Sequence, residues 1–260
     1  MNYNKTAIIT GAGQGIGYQI AIQMANEGYN LIINDLEEIL LQKLVKEIGK
    51  EKCVAVSGDC SKIEIIALLV NTAIENFGHL STVVANAGIT TFGQFLDYET
   101  ESLDALLNLN IKGTFFLVQR AARQMAIQKS GGQIVLTSSV TGHLAHENLV
   151  AYGMTKAAIE QLAKNLVVEL APLGINVNCV APGFTETERT IKDPIGTDIW
   201  NKITPLKKVA SVVDIANMVC FLVSEKARHI TGQSIVVDGG WTAVGQSPYS
   251  PLPPGGGTNN

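Results

Sequence analysis

Tyr152 and Lys156 stand four residues apart in the run Tyr152-Gly-Met-Thr-Lys-Ala-Ala-Ile-Glu-Gln-Leu162. On a helix that spacing puts both side chains on one face. A tyrosine ordinarily titrates near pH 10, too high for a base at neutral pH. A cation about 5 Å away, in an effective dielectric of about 20, favours phenolate by roughly 3 kcal/mol. Such a pair is an acid/base suited to interconverting an alcohol and a ketone. Alone, the two would equally be an amphipathic tyrosine and an unrelated surface lysine. Upstream, Ser138-Ser139 closes an apolar run. A hydroxyl there could hydrogen-bond a substrate oxygen and stabilise charge developing on it. No set of His, Asp or Cys has metal-ligand spacing, and Cys53, Cys60, Cys179 and Cys220 are scattered.

A second constellation suits a nucleotide. The first apolar run ends in Thr10-Gly11-Ala12-Gly13-Gln14-Gly15-Ile16-Gly17. Glycines at the entry to a helix let the backbone approach a pyrophosphate, whose charge sits against the helix N-terminus. The spacing is T-G-x3-G-x-G rather than G-x-G-x-x-G. Asp35 closes the second run, where a carboxylate can accept both ribose hydroxyls of an adenosine. It would repel a 2′-phosphate, and neither Gln14 nor Leu36 supplies a cation to rescue one. NAD(H) is therefore expected over NADP(H). Asp59-Cys60 follows the third run, where the carboxylate could bond an adenine amino group. Asn86-Ala87-Gly88 follows the fourth, with small residues that let a ligand approach the backbone.

These residues need elements to bring them together. Strands are predicted at 6–10, 31–34, 53–57, 82–85, 133–137, 176–181 and 234–237, with helix-period segments between them. Ile63, Ile66, Ala67, Val70, Ala73, Ile74 and Phe77 follow the spacing of one buried helix face. Strand runs that are apolar throughout imply a sheet covered on both faces. The alternation predicts an α/β fold, a doubly wound Rossmann-type domain with a parallel seven-stranded sheet and helices on both faces. One NAD-binding catalytic domain is expected over 1–246, since no Pro/Gly linker interrupts it. The polar stretch of about 184–205, containing Pro194 and Gly196, breaks the alternation and reads as a functional lid or a disordered insert. The Pro/Gly-rich tail 247–260 reads as a surface-draped segment without packed structure.

Composition sets the remaining bounds. The chain has 260 residues, 46% of them hydrophobic and 16% charged, which excludes a disordered chain. Nineteen basic against 23 acidic residues, with no basic cluster, give no support for nucleic-acid or anionic-membrane binding. No stretch approaches the roughly 18 apolar residues of a membrane span, and the N-terminus lacks a signal-type apolar stretch. Unpaired cysteines suit a reducing, cytoplasmic compartment.

Taken in order, Thr10-Gly11-x3-Gly15-x-Gly17, Asn86-Ala87-Gly88, Ser139, Tyr152-x3-Lys156, Pro182-Gly183 and Asp238-Gly239-Gly240 closely resemble the short-chain dehydrogenase/reductases. The resemblance covers residues 6 to about 241. It implies a catalytic tetrad. Tyr152 would be the general acid/base, and Lys156 would lower its pKa and hold the nicotinamide ribose. Ser139 would bind and polarise the substrate carbonyl, so that Ser139 and Tyr152 both meet substrate. Asn110, in Asn110-Ile-Lys-Gly113, would fix a water in a proton relay through Lys156. By itself, an asparagine in a helical stretch reads only as a helix irregularity. Pro182-Gly183 followed by Thr185 and Thr187 looks like the family's loop against the nicotinamide carboxamide, and the segment from Phe184 would close over substrate. The resemblance also implies a homotetramer, for which the helical stretches 100–129 and 152–170 could supply packing surfaces. Many members carry two Asn before Ala-Gly where this chain has Ala85-Asn86.

His143 and His146 lie between Ser139 and Tyr152 and are candidates for the pocket wall, as are Phe92, Phe184 and Trp200. The expected activity is NAD(H)-dependent hydride transfer between a secondary alcohol and a ketone, with no metal. A cyclic alcohol, a sugar or polyol, or a hydroxysteroid would each serve as substrate. A 3-oxoacyl-thioester reductase using NADPH is the alternative within the same chemistry. A non-catalytic dinucleotide-binding protein is the alternative of another class. A methyltransferase shares the glycine turn and the acid, but has no use for the Tyr152/Lys156 pair.

Overall fold

The structure, a computed structural model, describes residues 5–192 and 195–248. Six parallel strands come first: β1 (Thr6–Thr10), β2 (Asn30–Asp35), β3 (Cys53–Ser57), β4 (Thr82–Ala85), β5 (Gly132–Thr137) and β6 (Ile175–Pro182). Two short strands, β7 (Thr185–Glu186) and β8 (Ala210–Ser211), pair with each other, and β9 (Ser234–Val237) completes the main sheet. That sheet has seven parallel strands in the order β3-β2-β1-β4-β5-β6-β9. The chain builds outward from β1 to β3, then crosses back to lay β4 against the other side of β1. The junction of β1 and β4 is therefore the switch point at which such sheets bind ligands.

The helices are α1 (Gly15–Asn26), α2 (Glu38–Ile48), α3 (Ile63–Phe77), α4 (Thr100–Leu106), α5 (Thr114–Gln128), α6 (Val150–Leu170), α7 (Gly196–Ile203), α8 (Val212–Leu222) and α9 (Trp241–Val244). Period-two alternation along the strands splits the core into two layers. Ala7, Ile9, Leu31 and Ile33 point to one face and pack under Ile20 and Met24 of α1, Leu41 of α2 and Val219 of α8. Ile8, Ile32, Val83 and Leu136 point to the other, under Leu69 of α3, Leu117 of α5 and Ile159 of α6. Both faces are dry. That accounts for strand sequences that are apolar without a break.

Two features go beyond the sequence reading. The described residues of 184–205 carry β7 and α7, so that part is not a disordered insert. Trp200 and Ile203, three residues apart, bury against Val140, Val209 and Trp241 and give α7 one apolar face. Two large side chains suffice to fold a stretch whose average polarity conceals them. The stretch 100–129 is helical as expected, but divided. A seven-residue π-type turn, Leu107–Gly113, separates α4 from α5, and Lys129 ends α5 in the left-handed conformation. Residues 193–194 and 249–260, including Pro194 and most of the expected tail, lie outside the described residues.

Candidate active site

A cleft of about 370 Å³ opens at the carboxyl ends of the strands, over the junction of β1 and β4. Gly11, Gln14, Gly15, Ile16 and Gly17 form one wall. Gly17 packs so closely that a Cβ there would lie 2.0 Å from the Gly11 carbonyl oxygen. Any side chain would push the turn open. α1 begins at Gly15 without a side-chain cap, and Gly15, Ile16 and Gly17 of its first turn line the cleft. Asn86 holds the turn from across the sheet. Its side-chain amide donates to the Thr10 and Gly11 carbonyls, each at 3.1 Å, and its oxygen accepts from Thr137 Oγ1 at 3.3 Å. Strands β1, β4 and β5 are thereby tied at one point.

Asp35 ends β2 at the far end of the cleft. Its Oδ2 accepts from the Gly13 N–H at 2.9 Å and its Oδ1 from the Leu36 N–H at 2.8 Å. These bonds fix the carboxylate and leave further lone pairs for a ligand. Leu36 lies exposed beside it. Asp59 accepts from Ser61 N and Ser61 Oγ, both at 2.9 Å, at the approach to α3. Cys60 is buried on the cleft wall, and burial pushes its thiol up to about 12. The cationic side chains lining the cleft among the described residues are Lys156, on α6, and Arg189, in the segment after β7.

Tyr152 and Lys156 project from the first turns of α6 at the opposite end. Lys156 is 4% exposed, and its Nζ donates to the Thr137 carbonyl at 2.8 Å and lies 5.5 Å from the Tyr152 ring centre. Ser138 and Ser139 split at the end of β5. Ser138 is buried and donates towards α6, whereas the Ser139 hydroxyl accepts from the Thr141 N–H at 3.3 Å beside the cleft. Pro182, Gly183, Phe184, Thr185 and Thr187 roof this end. Thr187 reaches down to the glycine turn, its Cγ2 being 3.5 Å from where a Gly15 Cβ would stand.

Every expected cofactor and substrate residue therefore lines the cleft. Asn110 does not. It is 1% exposed in the π-type turn behind the wall. Its side chain pairs with both the N–H and the carbonyl of Ile89, each at 3.0 Å, and donates to Thr155 Oγ1 at 3.2 Å. It joins the loop after β4 to α6. π-Type turns recur at functional positions.

The pocket-wall candidates divide. Phe184 lines the cleft and stacks on Trp200, ring centres 4.9 Å apart. Trp200 also stacks on His146 at 5.9 Å and meets Trp241 edge-on at 5.7 Å. Phe92 is exposed, and His143 turns away from the cleft to bond Glu160 and Ser234. Sequence reasoning missed Ile89, Thr90 and Arg189 on the cleft wall. They sit in loops, where residue type alone carries no signal of direction. Among the described residues no cluster of His, Cys, Asp and Glu could hold a metal ion, and no helix is long and apolar enough to cross a membrane.

A family model described as enoyl-(acyl carrier protein) reductase matches residues 11–242. A diacetyl reductase, (S)-acetoin forming, of Staphylococcus epidermidis is 38% identical over 253 residues, spanning 91% of this chain and 98% of that protein. The chain belongs to the short-chain dehydrogenase/reductases, a family of oxidoreductases. A 3-oxoacyl-(acyl-carrier-protein) reductase of the same organism is 37% identical over 244 residues, covering 91% of this chain and 98% of its own. Among solved structures, a short-chain type dehydrogenase/reductase from Mycobacterium marinum superposes with a TM-score of 0.88 at 31% identity, covering 92% and 96% of the two chains. A 3-ketoacyl-(acyl-carrier-protein) reductase from Brucella melitensis, crystallised with NADH, gives 0.87 at 28% identity over 93% and 100%.

Proposed function

We propose that the protein is an NAD(H)-dependent oxidoreductase that interconverts a secondary alcohol and a ketone, with Tyr152 as acid/base. The observation that carries this reading is the convergence on one cleft of the Tyr152–Lys156 pair, Ser139 and the uncapped start of α1. The glycine turn and the fixed Asp35 carboxylate fit a dinucleotide: Gly15, Ile16 and Gly17 would hold its pyrophosphate and Asp35 its adenosine ribose. When bound, the nicotinamide supplies or accepts the hydride. Tyr152 gives a proton to the carbonyl oxygen during reduction and takes it back during oxidation. Lys156 opposes the negative charge left on the phenolate, while the Ser139 hydroxyl donates to the same substrate oxygen. Asn110, through Ile89 and Thr155, holds the wall behind this group.

NAD(H) would be preferred, because a 2′-phosphate held beside Asp35 would meet its carboxylate and neither Gln14 nor Leu36 on the cleft wall supplies a cation. The similarity to a diacetyl reductase supports a secondary alcohol or hydroxyketone as substrate. A second reading, reduction of a 3-oxoacyl thioester with NADPH, draws on the similarity to 3-oxoacyl-(acyl-carrier-protein) reductases. Exposed Phe115 on α5 and Val168 on α6 support burial of these helices in a homotetramer. Fluorescence titration of NADH and NADPH against the protein and Asp35→Ala tests the cofactor reading. A preference for NADH that disappears in the variant supports it; a preference for NADPH favours the thioester reading.

A further inference from the structure

Glu160 follows Lys156 by four residues and extends the Tyr152–Lys156 face of α6 by one more turn. It is a carboxylate only 8% exposed, a costly state unless donors surround it. Two do. Ser138 Oγ donates to Glu160 Oε1 at 2.7 Å, and His143 Nε2 approaches the same oxygen at 2.9 Å. Ser138 Oγ also lies 3.0 Å from the Lys156 carbonyl. Gly142 fits against this cluster, since a Cβ there would come within 3.0 Å of Glu160 Oε1 and of the Ala157 nitrogen.

The consequence falls on Ser139. Residues 137, 138, 142 and 143 are each bonded or packed to α6, while the Ser139 hydroxyl bonds only within its own turn, to the Thr141 N–H. The place of Ser139 relative to Tyr152 is then set by what anchors its neighbours. The geometry points to Glu160 as a positioning residue: by receiving Ser138 and His143 it holds the 138–143 turn against α6 and keeps Ser139 at working distance from Tyr152. The bearing on catalysis rests on the alcohol–ketone reading above. The anchoring does not.

The test uses Glu160→Leu and Glu160→Gln in the full chain, with NADH present. Three quantities are read: amide hydrogen exchange in 138–143, NADH affinity, and kcat and KM for a ketone. Glu160→Leu is expected to lose exchange protection in 138–143 while NADH affinity holds. Its kcat should fall by about 10- to 100-fold, the scale of a reacting group misplaced by about 1 Å. Glu160→Gln keeps an oxygen acceptor and should recover most of both. Should Glu160→Leu fail to fold, Ser138→Ala removes one bond of the anchor and carries the same expectation. Unchanged protection in 138–143 would overturn the anchor. Lost protection with undiminished kcat would overturn its catalytic role. A wild-type protein that turns over no ketone would instead defeat the alcohol–ketone reading, and the exchange comparison would still decide the anchor.

Discussion

The Lys156 ammonium lies 5.5 Å from the centre of the Tyr152 ring, and the Thr137 carbonyl at 2.8 Å pins it there. The lysine is thus held by the sheet rather than by the tyrosine. Its ammonium therefore keeps its place over the ring whether or not the phenol is engaged by substrate. Lys156→Ala should lower kcat at neutral pH by about 100-fold or more. Steady-state turnover of a ketone with NADH checks this. A kcat close to that of the unsubstituted protein would mean that Lys156 plays no part in the reaction.

Trp200 sits between His146 and Phe184 in a three-ring stack, with interplanar angles of 17° and 18°. Phe184 is the ring that meets the cleft, so the stack transmits the position of α7 to the roof. Trp200→Ala removes a buried indole and should cost about 3–5 kcal/mol of stability. It should also raise KM for substrate more than it weakens NADH binding. Trp200→Phe separates two effects. The indole Nε1 is buried without a hydrogen-bond partner among the described residues, so Trp200→Phe loses packing but no hydrogen bond and should cost clearly less than Trp200→Ala. Thermal melts of both variants read the difference.

Burial pushes Cys53, Cys60, Cys179 and Cys220 each up to about 12. Two outcomes follow. A thiol-labelling reagent at pH 8 should find no rapidly reacting cysteine in the folded protein, Cys60 on the cleft wall included. The sign of the stability effect comes from the proton count. Between about pH 9 and 12 the unfolded chain releases thiol protons that the folded chain keeps, so stability falls as pH rises. At pH 10 each thiol contributes a loss on the order of 1 kcal/mol, and Cys53→Ala should flatten the dependence of Tm on pH in this range. A Tm that holds steady from pH 8 to 10.5 would contradict the burial.

Much of this was legible before any coordinates. Strands 6–10, 53–57, 82–85 and 234–237 fall where apolar runs begin and end, because both sheet faces are covered and the edges are marked by polar or turn residues. The meeting of the glycine turn and Asp35 was equally readable, since consecutive strands commonly lie side by side, and the Gly13 N–H reaches the Asp35 carboxylate. α7 was not, because its identity rests on Trp200 and Ile203 finding Trp241, a contact made far along the chain. Asn110 was named by family resemblance alone, and the π-type turn that carries it was not foreseen, since no propensity marks where a helix will widen. Glu160 was within reach. An acid in step with Tyr152 and Lys156 invites the question of what hydrogen-bonds it, but only the fold shows that Ser138 turns inward to do so.

The proposed chemistry turns on Tyr152 as the group that moves the proton. Steady-state NADH oxidation with small ketones and diketones, compared between the protein and Tyr152→Phe, puts this to the test. Saturable turnover is expected for the protein and a loss of at least about 100-fold in kcat for the variant, with NADH affinity retained. Near-normal turnover by Tyr152→Phe would place the acid/base elsewhere.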